Sequence, residues 1–300
     1  MKKGEIIIPD TYKYIAAFLT MRCNLSCSFC INSLGNEVKF NRNEFNEISG
    51  EEWVNALNKI ESKQNLPITL GGGEPFLHKD FIYIINNLKP ELNIDILTNL
   101  MWGKKGLEKF ISDVDPNRVK RDSPYSSIRV SYHPEAMNDA VKLADNVKLL
   151  QDKGFSIGIW SVLYPSSTQL SSISDTMQFI CKDKEIDFRT KSFTGVYKGE
   201  PYGDYSKFPK STLQEKTKSC KCKTSELLIG PKGDTYRCHR DLYARENPIG
   251  NITDNSFSVE DDFMDCDKYG QCNPCDVKVT TNNKQELGHT SVEIKEIQST

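Results

Sequence analysis

Between Tyr14 and Phe193, short apolar runs of strand length alternate with longer amphipathic stretches, and few folds tolerate that rhythm. The strands predicted are Tyr14 to Leu19, Pro67 to Leu70, Asn93 to Thr98, Ser127 to Ser131, Ser156 to Leu163 and Asp187 to Phe193. A helix is predicted after Ser49, where Glu52 three residues on completes a capping-box pattern and Trp53, Leu57 and Ile60 recur at helical spacing. Further helices are predicted over 79–89, 105–114, 138–153 and 171–184. We count six strand-helix units, the pattern of an α/β fold with a parallel sheet and helices packed outside it. Such a sheet can stay open or curl into a partial barrel, and periodicity does not separate the two. In either case functional groups belong at the carboxyl ends of the strands.

The loop after the first strand reads Thr-Met-Arg-Cys-Asn-Leu-Ser-Cys-Ser-Phe-Cys over residues 20–30, so Cys23, Cys27 and Cys30 stand at C-x3-C-x2-C with Phe29 before the last. Three thiolates on one loop can hold three corners of a cubane iron–sulfur cluster, whereas a closed cluster takes four cysteines. The fourth iron is then open to an outside ligand. A zinc knuckle competes, but it completes its tetrahedron with a fourth Cys or His, and residues 31 to 50 supply neither.

C-x3-C-x-aromatic-C after a first strand resembles the radical S-adenosylmethionine (radical SAM) superfamily. The resemblance implies a six-stranded (β/α)6 partial TIM barrel and a 4Fe–4S cluster held by Cys23, Cys27 and Cys30, which are then the catalytic residues. It also implies that S-adenosylmethionine chelates the open iron through its amino and carboxylate groups, with Phe29 beside the cofactors. In that family the reduced cluster breaks the sulfonium bond, and the resulting 5'-deoxyadenosyl radical takes a hydrogen atom from the substrate.

Gly71-Gly72-Gly73-Glu74-Pro75 ends the second strand, where glycines permit positive φ and close approach of a ligand. Alone, such a triplet is commonly an ordinary turn. The family places a Gly-Gly-Glu there against the amino group of S-adenosylmethionine, and Gly72, Gly73 and Glu74 match it. Polar strand ends that would share this face are Thr98 and Asn99 on the third strand and Ser131 and His133 on the fourth, of which Asn99 and Ser131 are the chosen cofactor-binding candidates. Such residues also commonly serve only to satisfy loop backbone groups.

Past Phe193 the texture changes. Gly195, Gly199, Pro201, Gly203 and Pro209 punctuate a stretch that reads as a linker or a loop across the barrel mouth. The expected division is a core over 1–195, a linker over 196–219 and a cysteine-rich extension over 220–300. That extension holds Cys220, Cys222, Cys238, Cys266, Cys272 and Cys275, six of the ten cysteines. Residues 227–237 read as a β-hairpin turning at Pro-Lys-Gly-Asp.

Cys222 ahead of Gly233-x4-Cys238, with Cys272-x2-Cys275 later, resembles the twitch extension, a shortened SPASM domain that binds one auxiliary 4Fe–4S cluster. Cys238, Cys272 and Cys275 are the implied ligands, with Cys222 as the fourth and Cys220 and Cys266 the alternatives. Structural zinc, with His239 beside Cys238, competes for the same set. A cysteine left over could donate a hydrogen atom to a product radical or pack as a small hydrophobe, as Cys181 is expected to.

Composition sets the outer bounds. Three hundred residues at 37% hydrophobic content bury a sizeable core, and a formal net charge of -2 without a basic run gives no reason to expect nucleic acid or an anionic membrane. The apolar N-terminal run is interrupted by Asp10 and Lys13 before it reaches signal-peptide length, so the cysteines read as metal ligands in a reducing cytoplasm. The expected activity is hydrogen abstraction from a small molecule or peptide, an oxidation, dehydrogenation or rearrangement assisted by the auxiliary cluster, with flavodoxin or ferredoxin as electron donor. The rivals are modification of a ribosomal peptide by crosslinking or epimerisation, against which only 13 residues precede Tyr14, and a zinc-binding module without redox chemistry.

Overall fold

The computed structural model describes residues 4–30, 46–193, 195–202, 218–269, 276–281, 284–290 and 292–296. The first six strands of the main sheet are β1 (Tyr14–Thr20), β2 (Ile68–Gly72), β3 (Ile94–Thr98), β4 (Ile128–Tyr132), β5 (Ile157–Leu163) and β6 (Phe188–Ser192). Each begins and ends within two residues of its expected place. They lie side by side in chain order, every adjacent pair parallel. The fold is therefore mixed α/β around a largely parallel sheet.

Helices α1 (Gly50–Leu57), α2 (Phe81–Asn87), α3 (Gly103–Asp113) and α4 (Ala140–Asp152) make the crossovers. The capping box opens α1 as expected: the Ser49 hydroxyl accepts from the Glu52 amide at 3.2 Å, and the Glu52 carboxylate accepts from the Ser49 amide at 2.7 Å. The stretch 171–184, expected as one helix, starts earlier and is built in three pieces: α5 (Ser167–Ser171), a π-turn (Ser172–Met177) and α6 (Gln178–Asp183). Ser172 and Ser174 donate back to the carbonyls of Thr168 and Leu170, at 2.9 and 3.0 Å, a bonding pattern that bends helices.

Alternation along the strands gives the sheet two different faces. Ile15, Ala17, Leu19, Ile68, Leu70, Ile94, Ile96, Ile128, Val130, Ile157 and Ile159 join Trp53, Ile84, Phe110 and Val147 of the helices in the main core. The opposite face carries Tyr14, Thr69, Asp95, Arg129, Lys191 and Glu226, with Ala16 and Phe18 packed on Leu228, Tyr236 and Leu242. The larger apolar cluster lies on the face covered by the helices, so that side accounts for most of the hydrophobic burial.

The later strands are β7 (Lys218–Thr224), β8 (Glu226–Ile229), β9 (Asp234–Tyr236), β10 (Gly250–Asn251), β11 (Met264–Tyr269), β12 (Asp276–Thr281), β13 (Lys284–Thr290) and β14 (Val292–Glu296), and helix α7 (His239–Ala244) lies among them. Here the structure adds what the sequence reading did not foresee. Strand β8 pairs in parallel with β1, Glu226 opposite Tyr14 and Ile229 opposite Ala17, and β9 and β10 follow antiparallel beyond it. At the other edge β12 pairs antiparallel with β6 and β13, giving eleven strands in the order β10-β9-β8-β1-β2-β3-β4-β5-β6-β12-β13. Strand β7 stands apart, between β11 and β14 in a three-stranded antiparallel sheet. In the expected linker, Gly195–Tyr197 pairs antiparallel with Glu200–Tyr202. Among the described residues no helix is long and apolar enough to cross a membrane.

Candidate functional site

The cysteine loop leaves the carboxyl end of β1, and the glycine motif at the end of β2 lies against its first turn. The Gly73 amide donates to the Thr20 carbonyl and the Glu74 amide to the Arg22 carbonyl, both at 2.8 Å. No side chain fits between these backbones: a Cβ on Gly72, whose φ is +137°, would stand 2.0 Å from the Thr20 carbonyl oxygen. One on Gly73 would stand 2.2 Å from that of Arg22. Gly72 and Gly73 thus set the position of the loop whose first thiol is Cys23.

Glu47 fastens the same turn from the other side. Its carboxylate accepts from Arg22 Nε at 2.9 Å and from an Arg22 terminal nitrogen at 2.8 Å, a two-point pair, and also from the Thr20 hydroxyl. That hydrogen bond with Glu47 raises the Arg22 pKa.

Asn99, at the end of β3, reaches the loop directly. Its amide nitrogen donates to Asn24 Oδ1 at 2.8 Å and to Cys23 Sγ at 3.7 Å, while its carbonyl oxygen accepts from the Met101 amide. Glu135, beyond the end of β4, caps the loop's second half: it accepts from the Ser28 amide at 2.5 Å and the Ser28 hydroxyl at 2.8 Å. Phe29 stacks on Tyr164 with ring centroids 4.7 Å apart and meets His133 edge-on at 5.1 Å. Burial pushes the His133 pKa down to about 4, so at neutral pH the ring against Phe29 is uncharged. Tyr164 in turn packs on Phe193 and on Tyr197, each at 5.0 Å, which draws the 195–202 strand pair over this end of the sheet.

Glu74 lies at the centre of this arrangement with no exposed surface. Its carboxylate accepts from the Asn99 amide at 2.7 Å, the Thr98 hydroxyl at 2.8 Å, the Trp102 indole at 3.0 Å and the Phe76 amide at 3.2 Å. Burial pushes its pKa up against those four donors. Its side chain joins the ends of β2 and β3, and the backbone of residues 72–74 is what lies beside the cysteine loop. Ser131 is half-buried, in register with Trp160 of β5, and none of the loop's described residues bonds to it.

The thiols fit a cationic iron–sulfur group. Burial first, then the Cys30 thiol, Glu135 and Cys23, push the Cys27 pKa up to about 12. A thiol so reluctant to ionise beside two others becomes a thiolate when a metal supplies the positive charge. Among the described residues no three His, Cys, Asp or Glu side chains converge on a single ion. The donor set is three thiols spread along one loop.

The second cysteine group assembles around β7 and β11. Cys220 stands opposite Cys266 across the two strands, with Cys222 opposite Met264 on the same face. Cys238 caps the start of α7, its sulfur accepting from the Asp241 amide at 3.5 Å. Arg237 lies among them. Burial works against its charge, and Asp241, Cys266 and Cys222 outweigh that burial and hold its pKa up. A cavity of about 670 Å³ is lined by Cys220, Arg237, Met264 and Cys266. Cys272 and Cys275 lie outside the described residues.

Lesser candidates resolve into ordinary roles. His78 is 2% exposed and spans Ile48 and Asp80 as a cap. Arg189 pairs with Asp187 at 3.0 Å, and Cys181 is buried in the main core. The Asp241 carboxylate is taken up by Arg237 and Arg240. Sequence reasoning missed Glu47, Glu135 and Tyr164, and no spacing signal pointed to them, because each acts on the loop from a distant part of the chain.

Residues 18–164 match the model of the Radical SAM superfamily. The chain is 33% identical over 104 residues to the sporulation killing factor maturation protein SkfB of Bacillus subtilis, covering 33% of this chain and 24% of that protein. It is 28% identical over 187 residues to the GTP 3',8-cyclase of Listeria monocytogenes, covering 59% of this chain and 53% of the cyclase. These matches thus span about a quarter and about half of the relatives' lengths. Among solved structures, Streptococcus suis SuiB bound to precursor peptide SuiA is similar in fold, with TM-score 0.52 and 16% identity over 84% of this chain and 63% of that one.

Proposed function

The chain carries a radical SAM domain, and from that premise we propose that it is an enzyme that takes a hydrogen atom from a residue of a peptide substrate. The domain implies a 4Fe–4S cluster and S-adenosylmethionine. Peptide as substrate is favoured by two relatives, a maturation protein and a structure holding a precursor peptide. The observation that carries the reading is the three-thiol loop fastened by Glu47, Asn99 and Glu135 at the ends of parallel strands.

When bound, the cluster supplies the electron that cleaves S-adenosylmethionine to the hydrogen-abstracting radical. The chain's own groups do the rest. Cys23, Cys27 and Cys30 would hold three of its irons; Gly72 and Gly73 let the backbone pack directly against the loop; Asn99 donates to the first thiol, and Phe29, stacked on Tyr164, would shield the loop from water.

We infer that the sheet curls into a partial barrel. Supporting this, Glu226 on β8 favours the charged form of Lys191 on β6 although five strands of the sheet lie between theirs. On the same footing Cys222, Cys238, Cys272 and Cys275 would hold an auxiliary cluster, and the net reaction would be an oxidation in the cytoplasm, fed by a flavodoxin or ferredoxin.

Anaerobic reconstitution, reduction and addition of S-adenosylmethionine should yield 5'-deoxyadenosine from wild-type protein and less than about a hundredth of that from Cys27→Ala, read by chromatography. Equal yields would sink the reading. The similarity to the cyclase keeps a nucleotide substrate as the second reading. Deuterium transfer into 5'-deoxyadenosine from labelled GTP, and not from labelled peptides, would favour it.

A further inference from the structure

The cysteine loop meets opposite kinds of partner at its first and second thiols. At Cys23 the sulfur accepts two N–H groups, the Leu25 amide at 3.4 Å and the Asn99 side chain at 3.7 Å. Beside Cys27 the next N–H along the chain, that of Ser28, turns to a carboxylate instead. Glu135 accepts it at 2.5 Å and accepts the Ser28 hydroxyl at 2.8 Å. A negative charge is thus bonded to the residue that follows a thiol of the loop. Among the described residues the bonding partners of Glu135 are Ser28 and Gln169, neither of them a cation.

Gln169, on α5, secures that carboxylate from behind. Its Nε2 donates to Glu135 Oε2 at 3.3 Å. The residue is 7% exposed, and its Oε1 is buried without a partner among the described residues. Turning the amide over offers no relief, because its oxygen would then face the carboxylate. A leucine of similar size would avoid the unsatisfied oxygen, and the bond to Glu135 is what the glutamine adds. Tyr164, just ahead of the same helix, stacks on Phe29. One short connection from β5 into α5 therefore braces Phe29 directly and Ser28 through Glu135.

The reduction potential of an iron–sulfur cluster falls when negative charge lies close, since the added electron is repelled, and rises when N–H groups donate to its sulfurs. Glu135 works in one direction on both counts: it sets an anion beside Cys27 and keeps the Ser28 amide for itself. Water reaches the exposed carboxylate and screens it, so the effect is a modest one.

Resting on the reading that this loop holds a 4Fe–4S cluster, we propose that the Glu135 carboxylate lowers the cluster's reduction potential and so makes its reduced form a stronger donor to the sulfonium bond. Gln169 is the positioning residue that keeps the carboxylate on Ser28.

The test uses the full chain after anaerobic reconstitution, held with dithionite and redox mediators at a fixed potential near the wild-type midpoint and read by low-temperature electron paramagnetic resonance. The signal of the first cluster is the one that changes when S-adenosylmethionine is added, which separates it from any second cluster. Glu135→Gln, which loses the charge and keeps an acceptor oxygen, should raise the ratio of reduced to oxidised cluster about threefold or more. That is a positive shift of about 28 mV, taking about 59 mV per tenfold for one electron. Gln169→Leu should move the ratio the same way by less, and should add nothing in the Glu135→Gln background. Ratios are taken per cluster, so a variant that holds less iron is still read. An unchanged or lower ratio in Glu135→Gln would overturn the proposal and leave Glu135 a structural clamp, whatever its iron content. Gln169→Leu matching wild type, or shifting the ratio in full without the carboxylate, would overturn the positioning role alone. Formation of 5'-deoxyadenosine is measured separately. Its absence from a wild type whose potential responds to Glu135 would remove the enzymatic reading and leave the tuning standing, whereas ample 5'-deoxyadenosine with no such response would remove the tuning alone.

Discussion

Gly73 shows how a single hydrogen atom in place of a methyl group decides where the cysteine loop can lie. Because its Cβ would stand 2.2 Å from a backbone oxygen and not from a flexible side chain, Gly73→Ala should shift residues 21–23 and cost about 1–3 kcal/mol. Thermal melting should report that cost, and iron retained on the first loop after anaerobic reconstitution should fall well below the wild-type value. Glu74→Gln puts an amide among four donors, so at least one loses its acceptor, and about 1–3 kcal/mol should be lost in denaturant unfolding. The sequence marks Gly72, Gly73, Glu74 and Asn99 as special through their place at strand ends. It is silent on Glu135, which bonds Ser28 across 107 positions of chain, because nothing local distinguishes that glutamate from a surface one.

At the scale of elements, the segments that proved legible are those whose signals are local. Periodicity and the capping box carry their own information within a few residues, and α1 begins where Ser49 and Glu52 require it to. Ser49→Ala should therefore cost about 1 kcal/mol in stability, read by urea unfolding, with no change in the cysteine loop. The broken helix over 167–183 was less legible, because its π-turn rests on packing of Ile173 and Met177 into the core as much as on its own sequence. Least legible was β8. Its four buried residues look like one arm of an independent hairpin, and only the tertiary structure sets them beside β1.

For the whole molecule, that pairing makes the cysteine-rich portion a continuation of the sheet that carries the first cysteine loop. Removing residues 218–300 would strip β8 from β1, exposing the apolar residues Ala16 and Phe18 along an open strand edge. Such a truncation should associate or precipitate and should not behave as a monomeric core, which size-exclusion chromatography would show.

The same adjacency has a consequence for biosynthesis. Tyr14 and Glu226 are partners in register, yet about 200 residues of translation separate them, roughly 10 to 40 s at ordinary ribosomal speeds. Throughout that interval the nascent polypeptide carries a bare margin and three thiols on one loop, a window in which a chaperone or an iron-delivery factor would find its target most accessible.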